Sequence, residues 1–137
     1  MSWTTVKDQL RHLPEAQQLA EKIRTSREFA KIQKFDRNGD PITLEEWADL
    51  LSDRDYSTVG ADYVTIDGGR VLVNTLWTGV PWYGDDLFTS RLLPMRGCVD
   101  ESGQQRPVWA QSYSTLAAAA GGHAEILDRL RAGRWPT

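Results

Sequence analysis

Apolar residues change their spacing twice along this chain. In residues 1–34 they are sparse and fall at helical intervals. Val6, Leu10 and Leu13 sit at i, i+4 and i+7, and Leu19, Ile23, Phe29 and Ile32 continue the stripe. Pro14 interrupts it and suits the first position of a new helix, and Ser26 is a candidate cap between two helices. Residues 35–42 carry Asn38-Gly39 and Pro41, which predict a turn. A marked helix start follows. Thr43 precedes Glu46 by three positions, a capping box, and Leu44, Trp47, Ala48 and Leu51 line one face of a helix ending near Ser52.

The period then drops to two. Tyr63 to Asp67 and Arg70 to Trp77 read as strands joined at Gly68-Gly69, a hairpin signal. That turn predicts Asp67 opposite Arg70, Ile66 opposite Val71 and Val64 opposite Val73. Val64, Ile66, Val71, Val73, Thr75 and Trp77 then share an apolar face, with Tyr63, Thr65, Asp67, Arg70, Leu72 and Asn74 on the other. Residues 78–86 form an aromatic, turn-rich link. A third strand is predicted over Leu87–Leu93, stopped by Pro94, and a fourth over Val108–Ser112, with the polar loop Cys98–Pro107 between them. Helical spacing returns from Thr115 to Arg131, with Ser114 as N-cap. Leu116, Ala120, His123, Leu127 and Leu130 make its stripe, flanked by Ala119 and Ile126. Gly121-Gly122 in its middle implies a kink or a close approach to the sheet.

These elements predict an α+β fold. An antiparallel sheet of three or four strands carries the Thr43 and Thr115 helices on its apolar face. Residues 1–34 form a helical extension and residues 35–137 the α+β domain. The 137 residues suffice for one real core.

Charge changes this picture only locally. The net charge of −3 is segregated. Residues 1–34 hold seven Lys/Arg against four Asp/Glu, residues 35–62 two against eight, and residues 63–137 seven of each. Two solvated faces attracting one another explain this, as does a polar docking surface for a partner. An acidic chain with no basic cluster among exposed aromatics is not expected to bind nucleic acid directly. No apolar run is long enough to span a membrane, the N-terminus lacks a signal-peptide pattern, and the single Cys98 fits a reducing cytoplasm.

The stretch Asp36-Arg37-Asn38-Gly39-Asp40-Pro41-Ile42-Thr43-Leu44-Glu45-Glu46-Trp47 resembles the opening of a family of small uncharacterised proteins from actinobacteria and their phages. The same order of motifs continues in Thr75 with Trp77, in Phe88-Thr89-Ser90, in Tyr113-Ser114-Thr115 and in Gly122-His123, so the resemblance covers about residues 35–130. Thr89 stands where the family has an acidic residue, and any role of that carboxylate is absent here. The resemblance implies a phage, prophage or actinobacterial origin and a cytoplasmic setting, and it implies no activity.

Candidate chemistry is thin. Two histidines and one cysteine, far apart, do not supply a zinc site. Asp36 to Asp40 fails as a calcium loop, because the glycine is misplaced and Trp47 stands where a Glu ligand belongs; an Asx turn is expected instead. Neither Gly-Gly pair fits a phosphate-binding motif, so no cofactor is expected. Cys98 with His123 lacks any nucleophile signature. His123, on an apolar stripe, reads as a packed residue or as a site supported by Asp85 or Asp86. Six tryptophans is a high number. Trp82, Tyr83 and Trp109 lie in or beside irregular segments and, with Asp53 and Asp55, are the candidate protein-binding residues. The expected function is a non-catalytic interaction protein, such as a phage or prophage accessory factor that binds and modulates a host or phage protein. The alternatives are a small enzyme around His123 and a self-assembling subunit using residues 1–34 as an arm.

Overall fold

The computed structural model describes residues 27–81 and 84–136. The chain divides into two compact units, Met1–Gln33 and Lys34–Thr137. Of the first, residues 27–31 are helical; the stripe expected over Val6 to Ile23 lies outside the described residues.

The second unit begins with a small antiparallel pair, β1 (Lys34–Phe35) and β2 (Pro41–Ile42). Between them Asp36 Oδ1 accepts from the backbone N–H of Asn38 and of Asp40, both at 2.9 Å. This is the expected Asx turn. Helix α1 (Leu44–Ser52) has its capping box formed, with Thr43 Oγ1 accepting from Glu46 N at 3.1 Å and Glu46 Oε1 from Thr43 N at 3.2 Å. A four-residue helix, α2 (Arg54–Ser57), follows, and its N-cap is Asp53. The sheet then runs β3 (Thr58–Ile66), β4 (Gly69–Trp77), β5 (Phe88–Pro94) and β6 (Trp109–Tyr113), antiparallel and in chain order. Helix α3 (Leu116–Arg131) closes the unit.

The hairpin differs from the predicted register. Its central residues are Asp67 (φ 54°) and Gly68 (φ 78°), and Ile66 pairs with Gly69, Val64 with Val71 and Asp62 with Val73. Asp-Gly supplies the two positive φ angles of a type I′ turn as well as Gly-Gly does. Gly69 is required elsewhere: a Cβ on it would lie 2.5 Å from Cys98 Sγ and 2.8 Å from Cys98 N. The two-residue shift preserves which residues share a face, so the dry face survives. The Asp67–Arg70 pair does not form. Asp67 instead accepts from Trp135 Nε1 at 2.7 Å and lies 3.7 Å from Arg106, while Arg70 stacks on Tyr63.

Helix α3 lies on the dry face. Its N-cap is Thr115 rather than Ser114, with Thr115 Oγ1 accepting from Ala118 N at 3.1 Å. Its buried stripe is Ala119, His123, Ile126, Leu127 and Leu130; Ala120 is exposed and Leu116 half-buried. Helix α1 meets the same face at its end, where half-buried Trp47 and Leu50 pack against the cluster around Trp77 and Phe88. It also packs against α2 and β1, and none of its residues is fully buried. It is tied to the end of the sheet by half-buried Trp47, whose Nε1 donates to the Thr78 carbonyl at 2.8 Å.

The core consists of two clusters. One gathers Val64, Ile66, Val71, Val73, Leu92, Cys98, Ile126, Leu127 and Leu130; the other gathers Trp77, Leu87, Phe88, Tyr113 and Ala119. On β4 the residue between them is Thr75, on β5 it is Ser90, and on α3 it is His123. A polar seam therefore crosses the core.

Candidate functional site

The hydrogen-bonded residues of the seam come from four elements, β3, β4, β5 and α3. Thr75 of β4 pairs directly with Gly60 of β3 on one side and with Ser90 of β5 on the other, and Ser90 pairs with Gln111 of β6. Gly60, Thr75, Ser90 and Gln111 thus form one row across the sheet, and His123 descends onto it from α3. Thr75 Oγ1 lies 2.6 Å from Ser90 Oγ and 2.7 Å from His123 Nδ1. His123 Nε2 lies 2.7 Å from Asp62 Oδ2, on β3 two residues from Gly60. The imidazole fits because Gly60 has no side chain: a Cβ there would stand 2.6 Å from Nε2 and 2.8 Å from Cδ2 and Cε1.

For a neutral imidazole facing a carboxylate, one set of donors follows. An ionised carboxylate only accepts, so Nε2 carries the hydrogen that Asp62 receives. In the neutral ring Nδ1 then accepts from the Thr75 hydroxyl, and Thr75 accepts from Ser90. Every group in the chain Ser90–Thr75–His123–Asp62 has a partner.

The order carboxylate, imidazole, hydroxyl is that of a hydrolase triad, but its placement is inverted. In a triad the hydroxyl meets substrate and the carboxylate is buried. Here Thr75 and Ser90 are 0% exposed and His123 is 7% exposed, while the Asp62 side chain is 45% exposed. The hydroxyls are closed off beneath α3, and only the Asp62 end reaches solvent.

The residues singled out from sequence do not converge. Trp82 and Tyr83 lie outside the described residues. Trp109 is half-buried against the first cluster. Asp53 caps α2, accepting from Asp55 N at 3.1 Å and Tyr56 N at 3.3 Å, and Asp55 is exposed in its first turn. Asp85 is exposed and Asp86 half-buried, and the carboxylate on His123 is Asp62 rather than either of them. Cys98 is buried in the first cluster, where its thiol donates to the Arg70 carbonyl at 3.2 Å. Among the described residues no group of three or more His, Cys, Asp or Glu could hold a metal ion, and no helix is long and apolar enough to cross a membrane.

Sequence reading missed Asp62, Thr75 and Ser90. Their signal was phase: each is polar and stands at an apolar beat of an alternating strand, in step with Val64, Val73 and Leu92.

A second concave feature lies at the other edge of the sheet, where α3 passes beside β6. It is a cleft of about 350 Å³ lined by Trp109, Gln111, Tyr113, Gly122, Glu125 and Arg129, among others. No family model, no curated protein and no solved structure matches the chain.

Proposed function

We infer that this chain is a non-catalytic protein-binding module. The observation that carries the reading is the inverted relay. Its two hydroxyls are sealed in the core, so the chemistry-bearing residues act as a polar staple between α3 and three strands. Interaction surface is supplied elsewhere. Glu45, Glu46, Asp49, Asp53 and Asp55 stand exposed along α1 and α2, and Tyr63 and Val108 are large exposed side chains. In the setting implied by the resemblance, the module is a cytoplasmic phage or prophage accessory factor that modulates a host or phage protein.

The test is affinity capture with the full chain from an actinobacterial lysate, read by mass spectrometry, followed by calorimetry with the purified partner. A reproducible partner that binds without being chemically altered is expected. Recovery of none overturns the reading.

A second reading has one observation in its favour. The Asp62–His123 contact at 2.7 Å ends in a half-exposed carboxylate, which a small enzyme could use as a base. That reading requires an activity that Asp62→Asn abolishes while the fold persists.

A further inference from the structure

The two edges of the sheet are finished differently. The β3 edge is guarded. Its pairing with β4 is broken by an irregularity between Thr58 and Gly60, and it carries the inward charge of Asp62. Bulges and inward charges are devices that keep a strand edge from pairing with another chain. The β6 edge has neither. Its residues, Trp-Ala-Gln-Ser-Tyr, include no charge and no proline, its register with β5 is unbroken, and among the described residues no strand lies on its outer side.

The outward groups of β6 can be identified. The carbonyl of Gln111 accepts from Thr89 Oγ1 at 3.3 Å and that of Tyr113 from Leu87 N at 3.0 Å, so both point toward β5. Backbone groups alternate along an antiparallel strand. The N–H and C=O of Ala110 and Ser112 therefore face away from the sheet.

Beside this edge lies the 350 Å³ cleft. Trp109, Gln111 and Tyr113 form its sheet wall. Ala118, Gly122, Glu125 and Arg129, at i, i+4, i+7 and i+11, form its helix wall. Tyr113 packs directly against the helix at Gly122, where a Cβ would collide with Tyr113 Cε1 and Oη. Tyr113 is 8% exposed, and its buried hydroxyl has no hydrogen-bond partner. A buried phenol left unpaired costs free energy that a ligand acceptor recovers.

We propose that the edge of β6 and the cleft beside α3 bind an extended, uncharged segment of a partner protein, added to the sheet as a fifth strand. This rests on the protein-binding reading and names its site. The added strand pairs with the outward groups of Ala110 and Ser112. It lies about 4.8 Å outside β6, and every second side chain enters the cleft. One such side chain, an amide or hydroxyl, meets Tyr113 Oη. The next, aromatic or aliphatic, packs on Trp109. Charge selects the segment: β6 is uncharged, and Glu125 and Arg129 neutralise each other at 3.2 Å, so neither an acidic nor a basic strand gains a counter-ion.

The probe is a library of capped peptides of about six residues, built from Ser, Thr, Gln, Val and Tyr, beside a matching library rich in Asp and Lys. Binding to the full chain is read by fluorescence polarisation and by amide exchange. Uncharged peptides are expected to bind and to slow exchange at Ala110 and Ser112. Ala110→Pro, which removes an outward donor without touching the β5 ladder, is expected to weaken binding about tenfold. Tyr113→Phe removes only an unpaired hydroxyl, so it keeps the fold and is expected to weaken binding about fivefold. Peptides that bind both variants as tightly as the natural chain overturn the site. So does tighter binding of the charged library. If no peptide binds while a captured partner still does, the site is wrong and the protein-binding reading stands. A dimer of the free chain that Ala110→Pro dissociates places a second copy on the edge and also overturns the proposal.

Discussion

Thr75→Val tests the polar seam most directly. Valine keeps the shape of threonine and removes the oxygen that joins Ser90 to His123. Both partners are left buried: Ser90 Oγ in a residue 0% exposed, and Nδ1 of a His 7% exposed. A buried polar group without a partner costs about 1–3 kcal/mol. Ser90 can rotate its hydroxyl toward a strand carbonyl, which lowers its share, and the new methyl returns under about 1 kcal/mol of burial. The expected net loss is about 2 kcal/mol. Ser90→Ala leaves Thr75 bonded to His123 and is expected to cost about 1 kcal/mol or less. The double variant removes the stranded Ser90 hydroxyl together with its lost partner. It should therefore be no less stable than Thr75→Val alone, a coupling of about 1 kcal/mol. Urea unfolding followed by tryptophan fluorescence measures all three, with unchanged m-values as the check on two-state behaviour. A shift of about 4 °C in Tm per kcal/mol is the thermal counterpart. Additive losses within about 0.5 kcal/mol, or a Thr75→Val chain as stable as the natural one, would refute the shared network.

Gly60→Ala should destabilise by about 2–3 kcal/mol, because its Cβ meets an imidazole pinned at both nitrogens. Gly121→Ala, which meets nothing within 4 Å, should gain up to about 1 kcal/mol of helix propensity; equal effects in a melting comparison would contradict both. Cys98, 0% exposed and bonded to the Arg70 carbonyl, should react with a thiol reagent only as fast as the fold opens, and full labelling of the native chain would contradict that. The carboxyl of Asp100 titrates below its ordinary 3.8, chiefly through the Ser102 hydroxyl and then the Gln104 amide. Its contribution to the loop is therefore complete above that value and is lost as pH falls through the lowered one. Amide exchange at Ser102 and Gln104 should accelerate in that acid range and already be fast in Asp100→Ala, which removes the shared acceptor Oδ1; a flat profile would contradict this.

Much of the architecture was legible because it rests on periodicity. The capping box at Thr43, the dry face of the hairpin, the four strands and the long closing helix all follow from spacing and cap chemistry. What failed did so for tertiary reasons. The turn slid by one residue, and the pairing by two, because Gly69 is needed against Cys98, a contact nearly thirty positions away in sequence. The pairing of His123 with Asp62 was not legible, since the two are 61 residues apart and meet only once α3 has docked. The unpaired hydroxyl of Tyr113 was equally hidden, since its missing partner is a fact of packing rather than of pattern.

The seam also bears on how the fold is reached. A helix rich in alanine and glycine presents few bulky knobs, so apolar contact alone discriminates weakly between neighbouring docking positions. Sliding α3 by one turn would bring Ala119 or Leu127 over Thr75 and strand two hydroxyls and an imidazole in a dry interior. Misdocked arrangements are thereby raised in energy relative to the native one, and the landscape gains a gap that apolar burial would not provide. Replacing the seam with hydrocarbon, as in Thr75→Val/Ser90→Ala/His123→Leu, should yield a chain that is compact yet gives more than one set of amide resonances. A single sharp set would show that the surrounding side chains already dictate the alignment.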